Sequence, residues 1–386
     1  MTIVTPKGFR AAGIAAGIKA NGNPDLALVV NDGPEQVAAG VFTRNKIKAA
    51  PVLWSQQVLT TGRLRAVVLN SGGANACTGP EGFQTAHATA EKAAEVLGCG
   101  AIEVAVCSTG LIGAQLPRDT VLTGVETAAG ELAATPEAGL AAATAIMTTD
   151  TVAKQAAHSD AAGWSIGGLT KGAGMIAPSM ATMLSVLTTD AVIDAPALEQ
   201  ALRAAVRVSF DRLDVDGSMS TNDTVLVLAS GASGVTPDPA AFTAALAGVC
   251  KDLAQQMQAD AEGVTKRIAV RVSGAAGEDD AVTVARTVAR DSLVKTAMFG
   301  SDANWGRIAA AVGYSDAAVD PDTLDVTING VLLCKGGVAA GGRTDVDLSG
   351  KEIEIEIELG LGDGAAEILT TDLSHAYVEE NSAYPS

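Results

Sequence analysis

The clearest periodicity in the chain lies near its end. Across residues 352–359, isoleucines at 353, 355 and 357 alternate with glutamates, the period-two pattern of a strand with one dry and one wet face. Shorter apolar runs predict further strands at 26–30, 66–69, 102–107 and 268–272. Helical spacing is carried by three segments. Residues 83–97 are alanine-rich and stop at Gly98. A second helix is predicted after Asp194, with Pro196 in the first turn and apolar repeats at Leu198, Leu202 and Val206. A third places Phe242, Leu246, Val249, Leu253 and Met257 on one face and is predicted to end at Gly263. Strands and helices mix along the whole chain, which predicts an α/β class with mixed α+β layers, helices packed on mixed sheets. No internal repeat or low-complexity linker is visible. The alanine-rich stretch 127–144 is the softest boundary, though it reads equally well as helix.

Composition narrows the picture. A chain of 386 residues favours two packed units or one large layered structure. With 48% hydrophobic residues but only 3% aromatics, its core must be built from alanine, valine, leucine and isoleucine. The 44 acidic residues against 26 basic give a formal charge of −18, which argues against nucleic acid or an anionic membrane surface as partner. A small anionic substrate is still compatible, because one or two lysines reverse the field inside a pocket. Five scattered cysteines form no C-x-x-C pair and read as free thiols in a reducing cytoplasm. The glycine-interrupted apolar stretch 11–18 lacks a proper apolar region and cleavage site, so it reads as mature sequence. No run reaches the roughly 18 apolar residues of a membrane span.

The segment richest in chemistry is KGAGMIAPSMATML, 171–184. Its glycines free the backbone, Pro178 stops any helix, and apolar alternation resumes after Thr182. This puts a small Ala181–Thr182 step at the mouth of a strand, as an N-terminal-nucleophile enzyme needs. The Thr182 hydroxyl attacks the Ala181 carbonyl, the ester hydrolyses, and the freed α-amine becomes a base titrating near ~7.7–8.0. The three histidines, His87, His158 and His375, stand in no hydrolase or metal motif, so no histidine base is visibly provided. On spacing alone, a glycine- and proline-rich loop entering a core strand is the better explanation of the segment.

This segment resembles the self-cleavage signature of the ornithine acetyltransferase family. NSGGANACTG (70–79), CSTGLIG (107–113), TTDT (148–151), STNDT (220–224), GSDANWGR (300–307) and the terminal ENSAYPS fall in the family's order, so the likeness spans essentially the whole chain. The resemblance implies an ArgJ/DmpA-like, N-terminal-nucleophile-like fold, cut into an alpha chain, 1–181, and a beta chain, 182–386. It implies that Thr182 is the nucleophile and forms an acetyl ester. Thr109 and Gly110 would make the oxyanion hole, through a hydroxyl and a backbone N–H. Thr148, Lys171, Thr182, Glu262, Asn381 and Ser386 would contact substrate, with Lys171 suited to a carboxylate and Glu262 to an ammonium. Glu262 is predicted at a helix C-terminus, where the helix dipole disfavours a negative charge. The implied reaction moves acetyl from N-acetylornithine to glutamate, releasing ornithine, with no cofactor and with acetyl-CoA as a co-substrate that some relatives accept. The cleaved chains would assemble as a heterotetramer of two alpha and two beta in the cytoplasm. Two positions depart from the family pattern. Gly73 stands where asparagine is usual and Ala303 where proline is commoner.

Two motif look-alikes carry little weight. Residues 211–223 mimic a calcium loop, but Arg212 would occupy the first ligand position and the twelfth is not glutamate, so no metal is expected. GLGDG, 360–364, lacks the third glycine of a dinucleotide loop and reads as a turn. The competing enzyme reading is a self-processing aminopeptidase or amidase, in which water replaces glutamate as acceptor. A non-catalytic protein that keeps the fold is the remaining alternative.

Overall fold

The computed structural model describes residues 2–177 and 183–383. Ala181, Thr182 and Ser386 lie outside these described residues. The chain forms two compact units. One comprises the chain up to Asp211 together with Ser218–Met257. The other comprises Arg212–Gly217 and the chain from Gln258 onward.

The first unit runs β1 (Phe9–Ile14), β2 (Leu26–Asn31), β3 (Val37–Phe42), α1 (Ala50–Val58), β4 (Ala66–Asn70), α2 (Gly79–Leu97), β5 (Val104–Ser108), α3 (Arg118–Gly130), α4 (Pro136–Ala145), β6 (Lys154–Ser159), β7 (Ser165–Lys171), β8 (Leu184–Thr189), α5 (Ala195–Arg207), β9 (Thr224–Ala229) and α6 (Pro239–Ala259). It holds a four-stranded sheet, β1-β2-β4-β5, and a five-stranded sheet, β3-β9-β8-β7-β6. Each is mostly antiparallel with a single parallel pair, β4 with β5 and β8 with β9. Leu26, Val68 and Val106 of one sheet and Leu169, Leu184 and Leu226 of the other share one apolar core, in which the side chains of α1 to α4 also pack. Both parallel strands β4 and β5 are buried along their full length, which is why they read as short continuous apolar runs. In β8 all six residues are buried, so the alternation expected after Thr182 is replaced by burial on both faces.

Local chemistry sets the element ends. The Asp194 carboxylate accepts the Ala197 N–H and caps α5, with Pro196 in the first turn. Gly98 ends α2 in the left-handed region. A 3₁₀ turn at Ala101–Glu103, tied by Gly100 N–H to Glu103, delays β5 until Val104, two residues later than predicted. Helix α6 stops at Ala259, four residues short of the predicted stop. Glu262 therefore sits in the turn beyond the helix rather than in its last turn, and the dipole argument does not apply to it. The stretch 127–144 is no boundary. It contains the end of α3 and most of α4, and the two units divide elsewhere.

The second unit runs β10 (Arg267–Ala275), α7 (Glu278–Arg290), α8 (Ser292–Phe299), α9 (Trp305–Gly313), β11 (Asp325–Ile328), β12 (Val331–Lys335), β13 (Val338–Ala339), β14 (Glu352–Glu358), β15 (Gly364–Thr371) and α10 (His375–Ala383). Its sheet has the order β13-β12-β11-β14-β10-β15. Parallel pairing sets Ile353, Ile355 and Ile357 beside Ile268, Val270 and Val272, all buried in one core with Val284, Ala285 and Val288 of α7. The alternate glutamates face out, where Glu352 meets Arg267 and Glu354 lies 3.0 Å from Arg271. The calcium-like segment is committed elsewhere, since Asp214 accepts from Gly217 N–H at 3.1 Å and from Arg290 at 2.6 Å. GLGDG forms the turn between β14 and β15. Among the described residues, no helix is long and apolar enough to cross a membrane.

Candidate active site

Strand β5 ends by delivering Thr109 and Gly110 to one point. The strand is held from α1, where Trp54 Nε1 donates to Val104 O at 3.0 Å and the Ser55 hydroxyl bridges Val106 O and Val106 N–H at 2.7 and 2.9 Å. Asn70, at the end of β4, accepts the Thr109 N–H on its backbone oxygen and donates to the Ser108 hydroxyl. Gly110 then adopts φ +129°, and a Cβ there would lie 2.8 Å from Gly73 N and 2.9 Å from Gly73 Cα. Only glycine fits. Its N–H is taken by no other described residue. At Gly73 itself, an added Cβ would come within 3.0 Å of Leu116 Cδ2, so a larger residue at this position requires Leu116 to shift.

Lys171, at the end of β7, is buried and donates to the Thr109 hydroxyl at 3.3 Å. A hydroxyl that accepts from an ammonium keeps its own proton to donate, the state an oxyanion-hole donor needs. Asp150 organises this corner. Its carboxylate accepts Gly172 N–H at 2.7 Å, Thr148 N–H at 3.0 Å and the buried Lys154 ammonium at 2.6 Å, and lies 4.0 Å from Lys171. Burial alone would raise its pKa. The Lys171 and Lys154 charges and these hydrogen bonds win, and hold it at about 2. Thr148 and Lys171, far apart in sequence, are thus tied to one carboxylate.

The STNDT loop closes the site from another side. Asn222 donates from one amide nitrogen to Ala74 O at 2.6 Å and Ser108 O at 2.7 Å, fastening the loop to the end of β5. Asp223 is fully buried and accepts the Met183 N–H at 3.1 Å, while Thr224 N–H donates back to Met183 O. Thr109, Gly110, Ser220, Thr221, Asn222, Ala74, Ile112 and Met175 line a cavity of about 140 Å³, large enough for a two-carbon acyl group. A larger cavity of about 930 Å³ between α5 and α6 has a mainly apolar lining that includes six alanines, and its one carboxylate, Asp194, is already used as the cap of α5.

The structure therefore brings together Thr109, Gly110, Thr148 and Lys171 in the first unit. In the second unit it joins Glu262 to Asn381, whose amide donates to the carboxylate at 2.9 Å. Thr182, Ala181 and Ser386 lie outside the described residues. Sequence reasoning named no role for Asp150, Asn222 or Asp223, although all three stand inside the TTDT and STNDT motifs. The cysteines are free, and burial pushes the thiols of Cys107 and Cys250 up to about 12, so these two stay protonated.

A strand that ends in a buried, lysine-held hydroxyl beside a glycine in the left-handed region, facing a cavity of acyl size, marks an α/β acyl-transfer enzyme. The model of the ArgJ family matches residues 10–386, and the chain belongs to that family. It is 64% identical over 389 residues to the arginine biosynthesis bifunctional protein ArgJ of Mycolicibacterium paratuberculosis, covering 100% of this chain and 96% of that one. Its identity to the same-named protein of Streptomyces coelicolor is 60% over 386 residues, with both chains fully covered. Among solved structures, an ornithine acetyltransferase from Mycobacterium tuberculosis, complexed with ornithine, is 63% identical over 46% of this chain and 94% of its own, with a TM-score of 0.46.

Proposed function

We propose that this protein is a glutamate N-acetyltransferase that moves acetyl from N-acetylornithine to glutamate, in arginine biosynthesis, through an acetyl ester of Thr182. The observation that carries the reading is a full-length likeness of 56–64% to proteins named for that pathway, together with Thr109, Gly110 and Lys171 meeting at one small cavity. The same likeness favours transfer to an amine over the aminopeptidase or amidase alternative.

In this reading, the chain first cuts itself between Ala181 and Thr182. The freed α-amine then takes the Thr182 hydroxyl proton as the oxygen attacks the acetyl carbonyl of N-acetylornithine. Thr109 Oγ1–H and Gly110 N–H stabilise the oxyanion. Ornithine leaves, and the glutamate amine attacks the ester through a second oxyanion in the same hole. Lys171, steadied by Asp150, meets a substrate carboxylate, and Glu262 with Asn381 meets a substrate ammonium. The charge of Lys171 would be the local exception to a chain of net −18. Acetyl-CoA is proposed as a second donor, in keeping with the bifunctional name of the relatives. Two alpha and two beta chains in the cytoplasm complete the proposal.

Intact mass and N-terminal sequencing of wild type and Thr182→Ala test the cut. Two fragments in wild type, the second beginning Thr-Met-Leu-Ser, with one uncut chain in the variant, are expected. Labelled acetyl from N-acetylornithine should then appear on glutamate. Its release as free acetate instead would reject transfer in favour of hydrolysis.

A further inference from the structure

Asp223 is a buried acid of the first unit that the proposed reaction leaves unused. Its side chain is fully buried, and one oxygen accepts the N–H of Met183, the residue directly after Thr182 in the chain. The other oxygen, Oδ2, makes no hydrogen bond among the described residues. A buried carboxyl with a bare oxygen is costly as an anion and ordinarily holds a proton there. Burial does push the Asp223 pKa well above its usual value, against the opposing pull of Met183 N–H, Ser220 and the Lys171 charge. The Lys171 charge, on β7, acts on Asp223, and Lys171 itself lies 4.0 Å from Asp150. Loops fix the position firmly. Asn222 is bonded to Ala74 and Ser108, and Thr43 N–H donates to Asp223 O.

We propose that Asp223 is the proton-exchanging carboxyl of the self-cleavage step, holding the peptide group that Thr182 and Met183 share with one oxygen and relaying a proton with the other. This rests on the reading of Thr182 as nucleophile. In the step, the bond between Thr182 Oγ and the Ala181 carbonyl carbon forms and the bond from that carbon to Thr182 N breaks. The departing nitrogen needs a proton and the hydroxyl loses one. Asp223 gives its proton to the nitrogen and recovers the hydroxyl proton, ending unchanged. Water afterwards hydrolyses the ester, releasing the Ala181 carboxylate. An acid is needed because an amine anion is a very poor leaving group, and a positioned acid or base contributes ~10²- to 10⁴-fold.

The test follows fragment appearance against pH, by intact mass, for wild type, Thr182→Ala, Asp223→Asn and Asp223→Glu, with folding checked by thermal unfolding. Asp223→Asn keeps an acceptor for Met183 N–H but has no exchangeable carboxyl proton. It should cleave at least ~10²-fold more slowly than wild type, and it should lose the alkaline fall in rate that wild type shows as Asp223 ionises. Asp223→Glu should cleave faster than Asp223→Asn, or faster than Thr182→Ala if Asp223→Asn does not fold. Cleavage of Asp223→Asn at the wild-type rate with an unchanged pH profile overturns the proposal, as does Asp223→Glu no better than its comparator. An uncut wild type is a different failure, since it removes the nucleophile reading itself.

Discussion

At the scale of single residues, two buried aspartates of the same site have opposite electrostatics and should leave opposite marks on stability. Asp150 is held at about 2 by two ammonium groups and backbone donors. Its folded pKa lies below the ordinary value of 3.8, so its stabilisation is fully present above about pH 4 and is lost as pH falls toward about 2. Asp150→Asn removes the buried negative charge that pairs with Lys154 and lies beside Lys171, which should cost roughly 3–5 kcal/mol at neutral pH, read as a drop in unfolding midpoint in urea. Asp223 is shifted the other way. The folded state keeps its proton where the unfolded chain has lost it, so stability falls as pH rises above 3.8 toward its raised value. Asp223→Asn should therefore unfold at a higher temperature than wild type at pH 7 and show no such gain at pH 3. Neither effect was legible in the sequence. The motifs marked both loops as chemical, but a carboxylate's partners come from strands and loops brought together only by folding: Asp150 meets Lys171 across 21 residues of chain and Asp223 meets Met183 across 40.

At the scale of elements, sequence periodicity worked where one face is dry and the other wet, and failed where both are covered. β14 was readable because its isoleucines alternate with glutamates. β7 was not, because its SIGGLTK sequence carries two glycines that would ordinarily argue against a strand. The structure explains them by close approach. A Cβ at Gly167 would lie 2.4 Å from Thr2 O, and one at Gly168 would lie 2.8 Å from Leu187 and 3.0 Å from Leu253 of α6. Glycine is the residue that lets the N-terminal segment and α6 pack directly onto the sheet. Gly167→Ala meets rigid backbone, so it should lose roughly 1–3 kcal/mol, seen as a lower melting temperature. Helix ends were less legible than helix bodies for a related reason. The apolar face of α6 continues to Met257, but nothing in the sequence before Gly263 announces that the helix stops at Ala259. Placing Glu262 in the following turn gives it a neighbour, Asn381, that no helical periodicity could have supplied.

At the scale of the whole molecule, the two compact units and the proposed cut divide the chain differently. The core of the second unit is its own, built by β10, β14 and α7. The proposed cut at Ala181–Thr182 falls within the first unit, where β7 and β8 pair antiparallel from Ile166 opposite Thr189 to Lys171 opposite Leu184. Composition anticipated the mixed layers and the aliphatic core, but not this arrangement, because the sequence shows neighbours along the chain and a sheet is made of neighbours in space. Strand pairing across the proposed cut has a consequence for how a cleaved protein would come apart. Once the peptide link is gone, β7 and β8 belong to different molecules, and melting becomes a dissociation governed by mass action. The melting temperature of the cut protein should rise with its concentration and that of uncut Thr182→Ala should depend on it less, as a dilution series in scanning calorimetry would reveal. The uncut chain can search for its fold with its partner strand tethered, whereas a cleaved enzyme, once melted in dilute solution, would have to find that strand by diffusion.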